Sequence, residues 1–242
     1  MIRVAAVGDV HFGEDSEGTL RPQLEELRED ADVLLVAGDL TRHGAATEAE
    51  VLAHELHDLP VPVVAVLGNH DYHCDEQDRI RGVIEACGIV VLEGESVSIP
   101  VNGTRLGVAG IKGFGGGFAG ACGTEFGERL MKDFVRHTKD LAGRLHAALR
   151  ALEDEQRIAL LHYSPVEDTV SGERLEIYPF LGSYLFAEAV DEAGADLVIH
   201  GHAHAGSEKG VTPGGVPVRN VSQPLIQRAY NLYCFGDSEL QC

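Results

Sequence analysis

Apolar runs and helical periodicities alternate along this chain from its first residues. Strands of a parallel sheet that is covered on both faces appear as continuous apolar runs, whereas the covering helices carry apolar residues at intervals of three and four positions. The first part of the chain therefore predicts an α/β fold with a largely parallel sheet. Its predicted strands lie at 2–8, 33–37 and 62–67, separated by helices near 19–30, 46–58 and 75–87.

The rest of the chain continues the pattern. A hairpin is expected around Asn102 and Gly103, because an Asn-Gly pair favours the tight turns that join antiparallel strands. No linker, repeat or abrupt change of composition divides the sequence, so we expect residues 1–242 to form a single domain. The predicted elements are strands at 89–92, 96–100, 105–111, 157–162, 196–200, 216–222 and 230–235, and helices near 125–152 and 180–193.

Polar residues follow the predicted strands at the points where the strands end. The carboxyl ends of the strands in open α/β sheets form the ligand crevice. One Asp or His after a strand is usually part of a turn, but five strand ends that each deliver Asp, Asn or His indicate a common site. The residues are Asp9, His11, Asp39, Asn69, His70, Asp71, His162, His202 and His204.

Composition narrows the range of partners. The formal net charge is −20, from 39 acidic and 19 basic residues. Such a surface repels nucleic-acid backbones and anionic membranes, so we expect neither a long nucleic acid nor a membrane as a partner. A pair of bound divalent metals would still attract a small anion locally, because salt screens charge beyond about 8 Å.

Other features of the sequence predict a cytoplasmic protein. The chain opens directly on a strand-like run, and it contains no stretch of about 18 apolar residues that would span a bilayer. The cysteines are odd in number and lack CxxC spacing, which predicts free thiols rather than a disulfide framework. They are Cys74, Cys87, Cys122, Cys234 and Cys242.

The ordered motifs resemble those of the calcineurin-like metallophosphoesterase superfamily. The motifs are Asp9-x-His11, Gly38-Asp39, Gly68-Asn69-His70-Asp71, His162 and Gly201-His202-x-His204. This resemblance implies a four-layer αββα sandwich with two metal ions at the carboxyl ends of the strands. It implies that Asp9, His11, Asp39 and His204 bind one metal, and that Asp39, Asn69, His162 and His202 bind the other, with Asp39 bridging. It also implies that His70 serves the leaving group, with Asp71 orienting its ring.

The chemistry of such a centre is consistent with the residue types. Two metals roughly 3.5–4 Å apart can hold a hydroxide against phosphorus and neutralise the phosphate oxygens. Mixed imidazole and carboxylate ligands suit manganese, iron, zinc, nickel or cobalt better than magnesium or calcium, and family precedent favours manganese or iron.

We therefore expect a metal-dependent phosphoesterase, with a phosphodiesterase acting on a small, nucleotide-like substrate as the first hypothesis. The Gly-Asp-Leu and Gly-Asn-His-Asp segments are similar to those of small bacterial cyclic-nucleotide phosphodiesterases. The alternatives are a phosphomonoesterase or nuclease of the same superfamily, or a non-catalytic metal-binding scaffold. The sequence leaves the natural substrate and the oligomeric state open.

Several further residues are candidates for supporting roles. Arg42, His43 and Tyr163 are candidates for contact with the substrate, and the chain lacks the Asp-Arg-Gly of the protein Ser/Thr phosphatases in the region of Arg42. His200 is expected to form a hydrogen bond with a metal-binding residue, or to be a structural residue of a buried strand, rather than to bind a metal itself. The glycine-rich segment 113–120 is predicted to be a mobile loop, and 163–183 a wall of the substrate pocket.

Overall fold

Two β-sheets lie face to face at the centre of the molecule, in a computed structural model that describes residues 1–235. The strands are β1 (Ile2–Val7), β2 (Val33–Ala37), β3 (Val63–Val66), β4 (Val90–Val91), β5 (Glu95–Val101), β6 (Thr104–Ile111), β7 (Gly117–Phe118), β8 (Ala121–Cys122), β9 (Gln156–Leu161), β10 (Leu197–His200), β11 (Lys209–Val211), β12 (Pro217–Asn220) and β13 (Asn231–Phe235). The first sheet has the order β13-β1-β2-β3-β4, and the second has the order β11-β12-β10-β9-β6-β5. A separate short hairpin pairs β7 with β8.

Parallel pairing dominates both large sheets. In the first sheet β1 to β4 run parallel, and β13 is antiparallel at the edge. In the second sheet β6, β9, β10 and β12 run parallel, and the edge strands β5 and β11 are antiparallel. The carboxyl ends of the parallel strands therefore gather along one edge of each sheet, which is the arrangement that the strand-end residues required.

Helices cover the outer faces of the two sheets. The helices are α1 (Leu27–Asp30), α2 (Ala46–Leu56), α3 (Gln77–Ala86), α4 (Arg129–Arg150), α5 (Tyr178–Leu181), α6 (Tyr184–Ala193) and α7 (Gln223–Ile226). The first three pack on the first sheet, and α4 and α6 pack on the second. The predicted four-layer αββα sandwich is confirmed.

Burial on both faces explains the continuous apolar runs. Along β1, Val4 and Ala6 belong to the cluster between the two sheets, whereas Ala5 and Val7 belong to the cluster under the helices. Successive side chains of a strand point to opposite faces, so both sets must be apolar.

The hairpin between β5 and β6 turns at Asn102 and Gly103, as predicted. Both residues have positive φ angles, 48° and 83°. Two left-handed residues in succession are what a two-residue hairpin turn needs, and Asn and Gly adopt that conformation most readily.

Two predicted helices are shorter in the structure than the periodicity indicated. The region 19–30 contains only a 3-10 turn at Arg21–Leu24 and the single turn α1. The region 180–193 is divided between α5 and α6 at Gly182, where a side chain would meet the carbonyl oxygen of Ser164. Contacts with distant parts of the chain therefore override the local helical pattern: the Ser164 backbone at Gly182, and the Glu55 side chain at the start of the 19–30 region.

The structure also tests the expectations of free thiols and of no membrane-spanning segment. Cys74, Cys87 and Cys122 are free thiols. Cys234 is disulfide-bonded, which corrects the prediction of free thiols at that position, because pairing depends on proximity in the fold rather than on spacing in the sequence. Cys242 lies outside the described residues. Among residues 1–235, no helix combines the length and the apolar content that crossing a membrane requires.

Glu55 replaces the missing helical hydrogen bonds of the 19–30 region. Its carboxylate is buried and accepts hydrogen bonds from the backbone N–H groups of Gly18, Leu20 and Arg21 at 2.7, 3.0 and 2.7 Å. Burial by itself would raise the pKa of Glu55, but these hydrogen bonds outweigh it and the pKa is lowered. The ionised carboxylate therefore stabilises the folded state.

We expect Glu55→Gln to lower the free energy of unfolding by about 2 kcal/mol at pH 7, because the amide places an N–H group against backbone donors. Since the pKa is lowered on folding, this stabilisation is complete above the pKa of an unfolded glutamate, about 4.3, and is lost as the pH falls through the folded value. Urea unfolding at pH 7 and pH 3.5 measures both effects. Glu50→Gln, on the exposed side of the same helix, is the control. Equal losses in the two variants, or a loss that persists at low pH, would contradict this role.

Candidate metal centre

Five strand ends bring the candidate ligands to one place. Asp9 follows β1, Asp39 follows β2 and Asn69 follows β3 in the first sheet. In the second sheet His162 follows β9, and the segment with His202 and His204 follows β10. A hydrogen bond joins the two sheets here: the backbone N–H group of His202 donates to both carboxylate oxygens of Asp9, at 3.0 and 2.9 Å.

The backbone is strained at these positions. Asp9, His11, Asp39 and His202 have φ angles of 58°, 44°, 49° and 70°, in the left-handed region that residues other than glycine rarely adopt. Such strain is characteristic of functional sites, where the surrounding structure holds side chains in a required arrangement.

The first cluster contains Asp9, His11, Asp39 and His204, each of which offers a ligand atom within 4.8 Å of the others. Nε2 of His204 lies 2.9 Å from Oδ1 of Asp9 and 3.4 Å from Nε2 of His11. The contact with the shared carboxylate is wider, with Nε2 of His11 at 3.8 Å from Oδ2 of Asp39. Two imidazole nitrogens that bind one cation at about 2.1 Å each are expected to lie about 3 Å apart.

The second cluster contains Asp39, His162 and His202, again with ligand atoms within 4.8 Å of one another. Nε2 of His162 lies 3.4 Å from Oδ1 of Asp39 and 2.8 Å from Oδ1 of Asn69. Asp39 therefore presents Oδ2 to the first cluster and Oδ1 to the second. A single carboxylate placed in this way is suited to bridge two cations.

Hydrogen bonds behind the imidazoles fix which nitrogen faces the centre. Nδ1 of His162 donates to the carbonyl oxygen of Ala37 at 2.9 Å, so Nε2 carries the lone pair. That lone pair faces the carbonyl oxygen of the Asn69 side chain, and two acceptors at this distance repel unless a cation lies with them. Nε2 of His202 donates to the carbonyl oxygen of Phe180 at 3.2 Å, which leaves Nδ1 free. The residues therefore fit divalent cations, and hydrogen bonds of this kind commonly orient metal-binding histidines.

The electrostatics of the clusters agree with this fit. Burial by itself would raise the pKa of Asp9, but the hydrogen bond and the charge of His204 lower it to about 2. Burial raises the pKa of Asp39 to about 6, and repulsion from Asp9 acts in the same direction. Burial also lowers the pKa of His162 to about 4 and that of His202 to about 3. The hydrogen bond with Asp9 raises the pKa of His204, whereas His162 and His202 are neutral, which is the form of an imidazole that binds a cation.

His70 stands beside the clusters without belonging to either. Its Nδ1 donates to the carbonyl oxygen of Arg42 at 2.7 Å, and its Nε2 lies 3.9 Å from Oδ2 of Asp39. Its ring contacts the ring of His11 at 4.5 Å between centroids. The side chain is 42 % exposed.

Asp71 does not orient His70, contrary to our expectation. Its buried carboxylate accepts hydrogen bonds from the N–H groups of Leu40, Thr41 and Gly68 and from the hydroxyl of Thr41, at 2.6 to 3.1 Å. These bonds connect the loop after β2 to the loop after β3. The 3-10 turn at His70–Tyr72 sends the two side chains in different directions, and the Arg42 carbonyl takes the orienting role.

The three candidates for substrate contact differ in their surroundings. Arg42 is half-buried and pairs with Asp15 at 2.8 Å, and the exposed imidazole of His43 contacts Glu48 at 2.7 Å. Tyr163 is only 7 % exposed, and its ring lies 4.4 Å from that of His202. Tyr163 therefore packs against a ligand residue of the second cluster, and its contact with a substrate stays a prediction.

His200 belongs to a buried network behind the centre. Its Nε2 lies 2.8 Å from the hydroxyl of Thr169, which lies 2.8 Å from the hydroxyl of Ser164. Asn220 donates to the carbonyl oxygen of Ala203 at 2.8 Å on the same side. The network attaches the 163–183 segment to the end of β10, so His200 is structural, whereas His202 and His204 face the two clusters.

The two long loops are joined to each other. The N–H groups of Gly116 and Gly117 donate to the carbonyl oxygens of Pro179 and Gly182 at 2.7 and 2.9 Å. Residues 113–118 are mostly buried and include β7, so the expectation of a mobile loop is wrong for this part, because its backbone is hydrogen-bonded to the neighbouring segment. The 163–183 segment reaches the centre through the Phe180 carbonyl.

The sequence reasoning did not select Lys112, which is almost completely buried next to the centre. It follows β6 directly, and its carbonyl oxygen accepts a hydrogen bond from the N–H group of His162 at 3.0 Å. Its position at the end of an apolar run is the same signal that selected the other residues. A lysine was overlooked because it is not among the usual metal ligands.

Residues 2–206 match the family of calcineurin-like phosphoesterases, and the chain therefore belongs to that family. Divalent metals are the cofactors of this family.

Similar proteins agree with this family. YpbG of Bacillus subtilis is 24 % identical over 185 residues, which are 76 % of this chain and 55 % of YpbG. F40B5.2 of Caenorhabditis elegans is 32 % identical over 113 residues, 45 % of this chain and 23 % of that protein. The chain thus spans about half or less of these relatives.

Solved structures share the fold. The phosphopantetheinyl hydrolase PptH of Mycobacterium tuberculosis superposes with a TM-score of 0.70 and 14 % identity, covering 97 % of this chain and 96 % of the other. The protein TT1561 of Thermus thermophilus superposes with a TM-score of 0.57 and 16 % identity, covering 93 % and 90 %. At these identities the likeness concerns the fold alone.

The contacts of Asp71 lead to a prediction that separates stability from turnover. We expect Asp71→Asn to lower the free energy of unfolding by about 2 kcal/mol, because the amide leaves backbone donors unpaired. Metal-loaded protein should keep a larger share of its turnover than a His70→Gln variant does. Urea unfolding and hydrolysis at equal metal content measure the two effects. An Asp71→Asn protein of unchanged stability that loses turnover as severely as His70→Gln would restore the direct role that we first expected.

Proposed function

We propose that this phosphoesterase is a phosphodiesterase with two divalent metals, acting on a small, nucleotide-like substrate. In this proposal Asp9, His11, Asp39 and His204 hold one metal, and Asp39, Asn69, His162 and His202 hold the other. The observation that carries the proposal is the position of Asp39, whose two carboxylate oxygens lie within reach of imidazoles from both clusters. We also propose that the whole of residues 1–242 forms one catalytic domain, since the site collects residues from 9 to 204.

Bound divalent metals would acidify water and neutralise the phosphate oxygens. The protein residues do the rest. The carbonyl oxygens of Ala37 and Phe180 hold the rings of His162 and His202, so the ligand nitrogens keep their directions. The Asp71 carboxylate keeps the loops after β2 and β3 at a fixed separation.

We propose that His70 protonates the leaving oxygen. Since Nδ1 donates to the Arg42 carbonyl, Nδ1 keeps its proton and Nε2 is the atom that gains or loses one. Nε2 is accessible and lies beside the shared carboxylate, where the ester oxygen would depart. The expected contribution of such a proton donor is about 10²–10⁴ in rate.

Charge and motif support a small diester as the substrate. The net charge of −20 works against a long polyanion, because repulsion accumulates over the whole contact. The Gly-Asp-Leu and Gly-Asn-His-Asp segments resemble those of small cyclic-nucleotide phosphodiesterases. We further propose manganese or iron as the metals, since mixed imidazole and carboxylate donors suit them, and a cytoplasmic location.

The first test compares two reporter substrates. Metal-free protein should hydrolyse neither bis(p-nitrophenyl) phosphate nor p-nitrophenyl phosphate, and added Mn²⁺ should restore cleavage of the diester with a kcat/KM at least about tenfold above that of the monoester. An Asp39→Asn variant, which loses the shared anion, is expected to bind less than two equivalents of metal. Preference for the monoester would favour a phosphomonoesterase, and a metal-loaded protein inactive on both would favour a scaffold.

The second test concerns His70. We expect His70→Gln to reduce diester turnover by about 10²–10⁴, because the leaving oxygen then departs without a proton. Metal content measured by elemental analysis should equal that of the unchanged protein, since His70 lies outside both clusters. Exposed His57, which pairs with Asp58, provides a control as His57→Gln. Loss of metal together with full turnover after metal is resupplied would exclude the role.

A further inference from the structure

Lys112 is a buried cation for which the phosphoesterase chemistry above provides no role. Its side chain is 7 % exposed, although an ammonium group loses strong hydration when it is buried. Nζ donates one hydrogen bond, to the carbonyl oxygen of Gly113 at 3.2 Å. An ammonium group carries three donors, so this contact does not satisfy it.

Aromatic rings surround the ammonium group. Nζ lies 4.8 Å from the ring centroid of Tyr72, 5.1 Å from that of Phe114 and 5.2 Å from that of Tyr163. Cations are attracted to the faces of such rings. The rings hold the ammonium in a fixed place, but they carry no net charge to balance it.

Two of these three rings belong to segments that carry residues of the centre. Tyr72 belongs to the same 3-10 turn as His70, and Tyr163 follows the ligand His162 in sequence. The ring of Tyr163 also contacts that of His202 at 4.4 Å. Nζ therefore stands between the segment that carries Asn69 and His70 and the segment that carries His162, on the side of the second cluster.

Two carboxylates lie in the neighbourhood, and neither forms an ion pair with Lys112 within the described part of the chain. Burial lowers the pKa of Lys112, and the negative charges of Glu93 and Asp39 oppose that shift because they favour the ammonium form. Glu93 is engaged by the hydroxyl of Tyr72 at 3.2 Å, and Asp39 is directed to the two clusters. The ammonium of Lys112 thus has no direct carboxylate partner within the described residues, and an additional anion at the centre would interact with it.

We propose that Lys112 is a substrate-binding residue that stabilises the anionic phosphate group of the substrate from the side of Asn69 and His162. The inference rests on the proposed function in placing a phosphate at the centre, and it does not depend on whether the substrate is a diester. Through a partly desolvated medium, one fixed charge near a phosphate is expected to change its affinity by about tenfold or more.

Binding of inorganic phosphate to the Mn²⁺-loaded protein tests the proposal without relying on turnover. Isothermal titration calorimetry should show that Lys112→Met raises the Kd for phosphate about tenfold at unchanged metal content. Lys139→Met is the matched control, because Lys139 is exposed and pairs with Glu125 at 3.1 Å. Its phosphate affinity should equal that of the unchanged protein.

Two further variants separate charge from packing. Lys112→Arg keeps the charge, so its Kd for phosphate should stay within about threefold of that of the unchanged protein. This variant also tests the proposal if Lys112→Met fails to fold. Glu93→Gln should leave phosphate binding unchanged or make it tighter, since it removes a competing negative charge. If Lys112→Met and Glu93→Gln weaken phosphate equally, the pair is structural and the proposal is overturned.

The outcomes also separate this inference from the proposed function. A protein that cleaves no diester, but whose phosphate affinity follows the charge at position 112, contradicts the phosphodiesterase proposal and supports the role of Lys112. A protein that cleaves the diester, and whose phosphate affinity is unchanged in Lys112→Met, supports the phosphodiesterase and overturns the role of Lys112. Absence of phosphate binding to the metal-loaded protein overturns it as well.

Discussion

The structure depends on one crowded anion, the buried carboxylate of Asp39. Glycines at the ends of neighbouring strands leave the space that the crowded carboxylates of Asp39 and Asp9 occupy. A side chain at Gly68 would lie 2.1 Å from both the backbone nitrogen and Oδ1 of Asp39, and one at Gly201 would lie 2.3 Å from Oδ2 of Asp9. These glycines are therefore required because a carboxylate from a neighbouring strand occupies the space of their missing side chains. Gly68 and Gly201, which look like turn signals in the sequence, are needed for this close approach.

The parts of the site that follow from strand geometry were predictable from the sequence. Apolar runs located the strands, and the carboxyl ends of parallel strands meet at one edge, so Asp9, Asp39, Asn69 and His162 were expected together and are found together. The direction of a side chain within a tight turn does not follow from this reasoning. Asp71 and His70 are adjacent in sequence, yet the carboxylate of one binds backbone N–H groups of two loops and the ring of the other turns to the Arg42 carbonyl. Pairwise contacts of this kind depend on backbone torsions that no periodicity specifies.

Long-range hydrogen bonds explain the other differences between the sequence pattern and the structure. The region 19–30 has the apolar spacing of a helix, but Glu55 from a distant helix binds backbone N–H groups at its start, so the backbone has no need of helical bonds there. The 163–183 segment is similarly ordered by His200 through Thr169 and Ser164. His200 itself shows why spacing was insufficient: it alternates with His202 and His204, but the strand still continues at His200 and places its ring in the interior.

The contrast between the charge of the whole protein and the charge of the site has a physical consequence. A net charge of −20 repels anions at long range, yet salt screens that repulsion beyond about 8 Å, so the local arrangement decides what is bound. In the proposed function, divalent cations would balance the carboxylates of Asp9 and Asp39, and Lys112 adds a charge that forms no ion pair with a carboxylate within the described residues. A small phosphate experiences mainly this local field, whereas a long polyanion must also lie along the acidic surface. Under the proposed function, this distribution of charge would favour a compact ester over an extended one, a selection that requires no contact with the part of the substrate that is excluded.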